Sequence, residues 1–393
     1  MRDVFVAGAV RTAIGKLGGT LSSVPVVTLG ATVLKAAVER AGVEADVLDE
    51  VIMGQVIQAG TGPNPARQAV LEAGFPISLP AYTVNKVCAS GMKAVGLGYL
   101  SVASGEQNVV AVGGMENMSQ APYVLQQARS GYRLGDGVMK DTILRDALED
   151  PVLSCHMGTT AETLAEEFGM GRVAQDAFAV RSQKRTGDAI ASGRFDAEIT
   201  PVTIPQRRGE PVVFDRDEFP RADTTAEALA KLRPAFQADG TVTAGNASGI
   251  NDGAAAMVLC TADEATLQKV KPMARIVAVA SSALDPGRMG MGPVGATLRV
   301  LDKAGLALSD IGIVELNEAF ASQSLAVIQE LNLDPEIVNV NGGAIALGHP
   351  VGASGARILV TLLHVLQDRD LQFGLATLCV GGGQGMAVIV ERV

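Results

Sequence analysis

The two ends of this chain carry the same pattern of residues, and this repetition constrains the fold more than any other feature of the sequence. Three pairs of segments match in order: Leu48-Asp-Glu-Val-Ile-Met53 with Leu308-Ser-Asp-Ile-Gly-Ile313, Val84-Asn85 plus Cys88-Ala-Ser-Gly91 with Val340-Asn341 plus Gly352-Ala-Ser-Gly355, and Val112-Gly-Gly114 with Val380-Gly-Gly382. An internal repeat of this length predicts two structurally equivalent halves, each of which buries a face against the other.

The two copies differ where a strand runs into a helix. In the first copy Asn85 lies three residues before Cys88, whereas in the second Asn341 lies eleven residues before Gly352. The second copy therefore contains eight additional residues, and these include His349. One half supplies a cysteine and the other a histidine from equivalent turns, which indicates complementary roles in one site.

Apolar runs typical of strands alternate with helical patterns along the chain, which predicts an α/β architecture. The predicted strands are 4–9, 50–56, 107–112 and 255–260, and the predicted helices are 28–41, 92–103, 160–168 and 173–192. A chain of 393 residues is expected to form two or three domains. We predict a first half formed by 1–119 and 246–270, an inserted loop domain at 120–245, and a second half at 271–393.

Composition excludes several classes of function. A net charge of −10 argues against a nucleic-acid partner, and no apolar run approaches the ~20 residues that span a bilayer. The four cysteines show neither metal-ligand spacing nor a disulfide pattern, so no metal is expected. The chain begins on a predicted strand without the regions of a signal peptide, which predicts a cytoplasmic protein. One basic concentration interrupts the acidic chain and is either a solvated surface or a binding surface for a phosphate-bearing ligand: Arg207, Arg208, Arg221, Lys231 and Arg233.

Four positions are candidates for chemistry. Cys88 lies where a strand meets a helix N-terminus, which favours a thiolate and offers N–H groups to an oxyanion; the alternative is a small cysteine packed under the helix. His349, between Gly348 and Pro350, is either a general base in an enforced turn or a buried structural histidine. Cys379 precedes a run of glycines that lets backbone approach a ligand. Asn317, between two carboxylates, either caps a helix or lines a polar pocket.

The motifs together resemble the thiolase family over essentially the whole chain. Six segments carry the resemblance: Val84-Asn-Lys-Val-Cys-Ala-Ser-Gly-Met92, Lys231-Leu-Arg-Pro-Ala-Phe236, Thr243-Ala-Gly-Asn-Ala-Ser-Gly-Ile-Asn-Asp-Gly253, Asn317-Glu-Ala-Phe320, Gly348-His-Pro-Val-Gly-Ala-Ser-Gly355 and Cys379-Val-Gly-Gly-Gly-Gln-Gly385. The resemblance implies a five-layered αβαβα fold built from two duplicated halves, with an inserted loop domain.

The resemblance also implies acyl transfer by a ping-pong route. Cys88 would carry the acyl group as a thioester after activation by His349, and Cys379 would move a proton to and from the substrate. One oxyanion site would use His349 and a water held by Asn317; the other would use the backbone N–H groups of Cys88 and Gly381. The remaining implied contacts to substrate or coenzyme A are His156, Met157, Arg221, Ser248, Met289, Ala319 and Phe320.

His156-Met157-Gly158 and the segment around Met289 resemble the biosynthetic branch of the family, which condenses two acetyl-CoA to acetoacetyl-CoA and free CoA. Coenzyme A thioesters would then be substrates, and no separate cofactor is expected. Two positions depart from that branch: Ala228 replaces a serine near the adenine, and 152–155 lack the usual aromatic and glycine. A thiolase acting on longer 3-ketoacyl-CoA and a catalytically silent CoA- or lipid-binding relative are the alternatives. Family members are dimers or tetramers, and 126–137 resembles the loop that joins two dimers, which predicts a homotetramer.

Overall fold

A long mixed sheet runs through the computed structural model, which describes residues 1–393. Its main strands are β1 (Val4–Thr12), β2 (Glu50–Gly54), β3 (Ala81–Val84), β4 (Val109–Asn117), β5 (Asn251–Thr261), β6 (Ala274–Ala283), β7 (Ile313–Leu316), β8 (Phe373–Val380) and β9 (Gln384–Arg392). In space they follow the order β7-β8-β9-β6-β1-β5-β4-β2-β3. Gly15–Lys16 pairs with β5, and Ile199–Thr200 pairs with β1.

The strand order confirms the duplication. In the first half β2 is parallel to β3 and β4, while β5 is antiparallel to β4 and β1. In the second half β7 is parallel to β8, β9 is antiparallel to β8 and β6, and a parallel bridge joins Val314 to Val338 in the place of β3. Between β1 and β6 only Phe5 and Val6 are paired, with Arg275 and Ala274, so the two half-sheets are nearly separate.

The helices cover and separate the two half-sheets. They are α1 (Val26–Ala41), α2 (Pro65–Glu72), α3 (Ser90–Ser104), α4 (Met157–Glu167), α5 (Arg172–Ala191), α6 (Ala226–Ala230), α7 (Ala262–Leu267), α8 (Gly292–Ala304), α9 (Ala321–Glu330), α10 (Ala344–Leu347) and α11 (Val351–Arg369). α1 and α2 share one apolar core with the first half-sheet, and α8 and α9 share another with the second. The largest core surrounds α3 and α11 between the half-sheets. This is the predicted five-layered αβαβα arrangement.

The long connection between β4 and β5 is the expected excursion from the first half. It contains α4, α5 and α6 and three short hairpins, and the chain then returns through β5 into the sheet between β1 and β4. The hairpins are Tyr123–Val124 with Lys140–Asp141, Glu149–Asp150 with Cys155–His156, and Val202–Ile204 with Val212–Phe214. The domain limits at 120–245 stay a prediction. No helix in the chain combines the length and apolar character needed to cross a membrane.

A buried ion network attaches this excursion to the sheet. Arg11 on β1 is fully buried; its Nε lies 2.5 Å from Glu198, and two of its nitrogens contact Asp217 at 2.7 and 3.0 Å. Asp217 also accepts the backbone N–H of Ile14 at 2.7 Å. A buried guanidinium with two carboxylates satisfies the charges that burial would otherwise penalise. The network therefore fixes the segment that leads to Arg221.

Glycines let the two central helices touch. A Cβ on Gly91 would lie 2.9 Å from the backbone nitrogen of Ala356, and a Cβ on Gly355 would lie 2.6 Å from that of Met92. On the neighbouring strand β4, a Cβ on Gly114 would lie 2.2 Å from the carbonyl oxygen of Gly352. Contacts this short leave no space for a side chain. The Ala-Ser-Gly turns of both halves thus meet backbone to backbone.

Gly114→Ala should destabilise the chain, because its methyl group has to displace the backbone at Gly352. We expect a loss of about 1–3 kcal/mol in the free energy of unfolding, measured by chemical denaturation. Gly171→Ala is the matched control, since a Cβ there meets nothing within 4 Å. Equal stability of the two variants would contradict the proposed backbone contact.

Candidate active site

Cys88 lies in a strained turn between β3 and α3. The residue before it, Val87, has φ of +47°, a left-handed conformation that costs a β-branched residue energy. Three hydrogen bonds hold the turn: Asn85 Oδ1 accepts the N–H of Val87 at 2.9 Å, and Ser90 Oγ accepts the N–H of Lys86 at 2.8 Å and donates to the carbonyl of Val87 at 2.7 Å. This strain could not be predicted from the sequence, because valine is among the residues least suited to a left-handed conformation.

Two backbone N–H groups close to Cys88 lower the pKa of its thiol. They belong to Gly381, from the second half, and to Cys88 itself, and both favour the thiolate. Burial opposes them and raises the pKa of Cys88 to about 11. The N–H groups favour the thiolate, as expected, but desolvation outweighs them and the thiol stays protonated. A base has to remove the proton.

His349 is buried in the turn that begins at Gly348, whose φ is +108°. Its backbone N–H donates to Asn251 Oδ1 at 2.9 Å, which holds the turn against the β5 strand. Its ring is bonded on both sides: Nδ1 lies 2.5 Å from Ser354 Oγ, and Nε2 lies 3.5 Å from Asn317 Nδ2.

The ring of His349 is neutral. Burial, together with the positive charge of Arg357, lowers the pKa of His349 to about 3. A neutral imidazole has one nitrogen free to accept a proton, which is the state that a general base requires. Although both ring nitrogens have neighbours, His349 also lines a cavity, as a base that meets a substrate would.

Cys379 ends β8 and is almost completely buried. Burial and the nearby Cys88 raise the pKa of its thiol, so Cys379 is protonated in the free protein. Two residues further, Gly381 makes the close approach expected of this glycine run: a Cβ there would lie 2.1 Å from Cε of Met157. A side chain at position 381 would therefore collide with Met157, which belongs to the excursion.

A cavity of about 490 Å³ lies between the excursion and the His349 turn; Cys88, Cys379, Asn317 and Gly381 are not among the residues that line it. Five of the residues singled out from the sequence line it: His156, Arg221, Ser248, Phe320 and His349. Three others, Met157, Met289 and Ala319, pack with Cys379 and Phe320 in one apolar cluster. The structure therefore gathers the predicted residues into one site. Of the basic concentration only Arg221 lines the cavity, while Lys231 and Arg233 are exposed elsewhere.

The cavity wall contains aromatic contacts that the sequence did not reveal. His156 stacks on Phe236 with ring centroids 4.6 Å apart, and Phe236 meets Phe320 edge to face at 6.0 Å. His156 Nδ1 accepts the N–H of Gly158 at 2.9 Å, and burial lowers the pKa of His156. The sequence feature that could have indicated them is the segment 231–236, which resembles the thiolase family and ends in Phe236.

Two buried carboxylates connect the site to its supports. Glu116, at the end of β4, accepts backbone N–H groups of Val56 at 2.9 Å and Gly352 at 2.9 Å. Its burial raises its pKa to about 8. Sequence reasoning missed it, although it follows Val112-Gly-Gly114 as Gln384 follows Val380-Gly-Gly382.

Glu318 does not cap α9, which begins only at Ala321. It accepts hydrogen bonds from Ser182 Oγ at 2.6 Å, Asn339 Nδ2 at 2.9 Å and, in the first turn of α10, the backbone N–H of Ile345 at 3.2 Å. Glu318 joins the Asn317 turn to the segment that precedes His349.

Two duplicated halves that bring Gly381 and Cys379 of the second half close to Cys88 of the first, with His349 in the equivalent turn of the second half, define the thiolase class of fold. Comparison with known proteins agrees. The family model described as thiolase, N-terminal domain matches residues 4–263, and the one described as thiolase, C-terminal domain matches residues 270–392. The chain belongs to the thiolase family.

Curated relatives cover the full length. Acetyl-CoA acetyltransferase of Escherichia coli is 56% identical over 394 residues, and that of Pseudomonas aeruginosa is 55% identical over 392 residues; each match covers 100% of both chains. The crystal structure of the Bacillus anthracis acetyl-CoA acetyltransferase superposes with a TM-score of 0.98 at 48% identity, covering 100% of this chain and 99% of that one.

Acidification should destabilise the chain through His349. Its folded-state pKa of about 3 lies below the ordinary value of 6.5, so between these values the unfolded chain binds a proton that the folded chain does not. The free energy of unfolding therefore falls as the pH drops through this window. Between pH 7 and pH 5 we expect the unaltered chain to lose roughly 1–2 kcal/mol more than His349→Gln. Denaturant titrations at both pH values measure this, and equal losses would contradict a buried neutral ring.

Proposed function

We propose that this protein is an acetyl-CoA acetyltransferase that reversibly condenses two acetyl-CoA to acetoacetyl-CoA and CoA. The observation that carries the proposal is that the backbone N–H of Gly381, from the second half, favours the thiolate of Cys88 in the first half, while buried His349 of the equivalent turn lines a cavity. Relatives at 55% and 56% identity over the whole chain bear that name.

In the first half-reaction His349 Nε2 takes the proton of Cys88, and the sulfur attacks the acetyl carbonyl carbon. The oxyanion that forms on this carbonyl is held by His349 and a water bound to Asn317. The bond between the acetyl carbon and the sulfur of CoA then breaks, and the departing CoA thiolate takes the proton of Cys379. Cys88 is left as an acetyl thioester, with protonated His349 and a Cys379 thiolate.

In the second half-reaction the Cys379 thiolate removes a proton from the methyl carbon of a second acetyl-CoA. That carbon attacks the thioester carbonyl on Cys88, where the N–H groups of Cys88 and Gly381 stabilise the oxyanion. The carbon–sulfur bond breaks, and Cys88 recovers its proton from His349. The raised pKa of Cys379 supports this assignment, because it makes Cys379 a thiol first and a strong base afterwards.

The remaining cavity residues bind the substrates. Arg221 is exposed at the cavity with no ion-pair partner, which suits a phosphate of coenzyme A, and Ser248 lies beside it in the same wall. Met157, Met289, Ala319 and Phe320 enclose the acyl end. Coenzyme A thioesters are substrates in this scheme, which uses no further cofactor and no metal.

We also propose that the protein works in the cytoplasm as a homotetramer, a dimer of dimers. Support for the assembly comes from the 126–137 segment, whose side chains Tyr132 and Leu134 are exposed and offer apolar area to a second copy. Sedimentation of the full chain measures the mass of the assembly, and a dimer would remove this part of the proposal.

Incubation with acetyl-CoA should add one acetyl group to Cys88, detected by mass spectrometry of the intact chain and its peptides. Cys88→Ala should carry none. Cys260→Ala is the matched control, because Cys260 lies in a separate apolar core and should leave the adduct in place. His349→Gln should slow acetylation by roughly 10²–10⁴-fold, the span for loss of a general base. An unmodified Cys88 would leave the silent CoA-binding relative as the correct reading.

Chain length is set by the side chains around Cys379. We expect thiolysis of acetoacetyl-CoA to exceed that of longer 3-ketoacyl-CoA, because Met157 and Met289 close the apolar cluster. Met157→Ala should shift the ratio toward the longer substrates by about tenfold, which is about the discrimination that one methylene provides. Met139→Ala is the control, since that side chain is 64% exposed. A preference of the unaltered chain for longer substrates would establish the degradative alternative.

A further inference from the structure

We propose that Ser354 is the positioning residue that fixes neutral His349 in the Nδ1–H tautomer and so leaves Nε2 free to accept the Cys88 proton. Ser354 is completely buried in the first turn of α11, five residues after His349. The inference rests on the proposed function for the use made of Nε2, but the tautomer itself is a property of the free protein.

The direction of the first hydrogen bond is forced by chemistry. Ser354 Oγ lies 2.8 Å from the carbonyl oxygen of Pro350. A carbonyl oxygen has no proton to donate, so two oxygens at this distance need the hydroxyl proton between them. Serine commonly donates to the carbonyl four residues earlier in a helix. The single proton of Ser354 is thereby committed to Pro350.

The second hydrogen bond follows from the first. Ser354 Oγ also lies 2.5 Å from His349 Nδ1, and with its proton already used it can only accept. His349 therefore donates from Nδ1. In a neutral imidazole the other nitrogen then carries a lone pair, and Nε2 faces the amide nitrogen of Asn317 at 3.5 Å, a donor that matches it.

The duplication supplies an internal comparison. Ser90 occupies the place in the first half that Ser354 occupies in the second, and it too donates to a preceding carbonyl, that of Val87 at 2.7 Å. What each oxygen accepts differs: Ser90 accepts the backbone N–H of Lys86, whereas Ser354 accepts the ring of His349. Equivalent serines thus have different tasks: Ser90 closes a backbone turn in the first half, and Ser354 orients a side chain in the second.

The other two histidines have the opposite arrangement. His156 accepts the N–H of Gly158 at Nδ1, which leaves its proton on Nε2. His364 places Nε2 at 3.1 Å from the carbonyl of Ala9, which requires a proton on Nε2 as well. Of the three histidines in the chain, His349 alone should carry its proton on Nδ1.

Long-range ¹H–¹⁵N NMR of the full chain labelled at histidine tests this directly. Three ring systems are expected, and one should have a protonated Nδ1 and an unprotonated Nε2; loss of that signal in His349→Gln assigns it. A proton on Nε2 of His349 in the unaltered chain would overturn the proposal. This measurement needs no catalysis, so it succeeds or fails independently of the acetyl adduct on Cys88.

Ser354→Ala tests the consequence for rate. Without the oxygen at Nδ1, the ring of His349 should take up a proton at Nε2 in part of the population. Acetylation of Cys88 should slow about 10–10²-fold, the usual cost of removing a partner that orients a histidine, while the KM for acetyl-CoA stays within about twofold. Ser324→Ala, a buried serine on α9, is the matched control and should leave both the rate and the His349 spectrum unchanged. An unchanged Nδ1–H signal together with an unchanged acetylation rate in Ser354→Ala would contradict the assignment.

Discussion

Backbone contact between α3 and α11 is the constraint on which the rest of the molecule depends. Gly91 and Gly355 allow the two helices to approach until their main chains touch, and Gly114 admits the same turn from the sheet side. Each helix carries one reactive group just before its first turn. The approach therefore decides the distance between the Cys88 sulfur and the groups of the second half, and a single methyl group at this contact would separate them.

Burial keeps the titratable groups of the site uncharged in the free protein. Desolvation raises the pKa of both cysteines and lowers that of His349, so all three groups are neutral before substrate arrives. Neutral groups are inexpensive to bury, and in the proposed mechanism the charges arise only as a pair, on His349 and Cys379, after the acyl group has been transferred. The two N–H groups at Cys88 stabilise negative charge when it develops there, and they carry no formal charge themselves.

Sequence reasoning recovered the architecture because its main evidence was a repeat. The pairs at Val84 and Val340 and at Val112 and Val380 predicted two equivalent halves, and the strand order repeats as expected. Cys88, His349 and Cys379 were found because glycines and prolines mark their turns. The left-handed conformation of Val87 was not predicted, because valine is unfavourable in that conformation and its presence therefore does not indicate it.

The supporting carboxylates were hidden for a different reason. Glu116 and Glu318 act through backbone N–H groups far away in the chain, so their partners become visible only when the fold brings Gly352 and Ile345 beside them. The sequence predicted correctly that backbone N–H groups lower the pKa of Cys88, but it did not predict that burial raises this pKa by more. Burial depends on every layer of the fold, and a local pattern contains no measure of it.

Because Gly381 belongs to the second half, the surroundings of Cys88 are incomplete while the chain is still being synthesised. Cys88 is synthesised long before the strand that completes its surroundings, and until the second half docks, the thiol has neither His349 nor the N–H of Gly381. A nascent or half-folded chain therefore cannot take an acetyl group from the metabolite pool. Acetyl transfer becomes a signature of correct docking, so the fraction of molecules that accept one acetyl group reports the fraction that has folded completely.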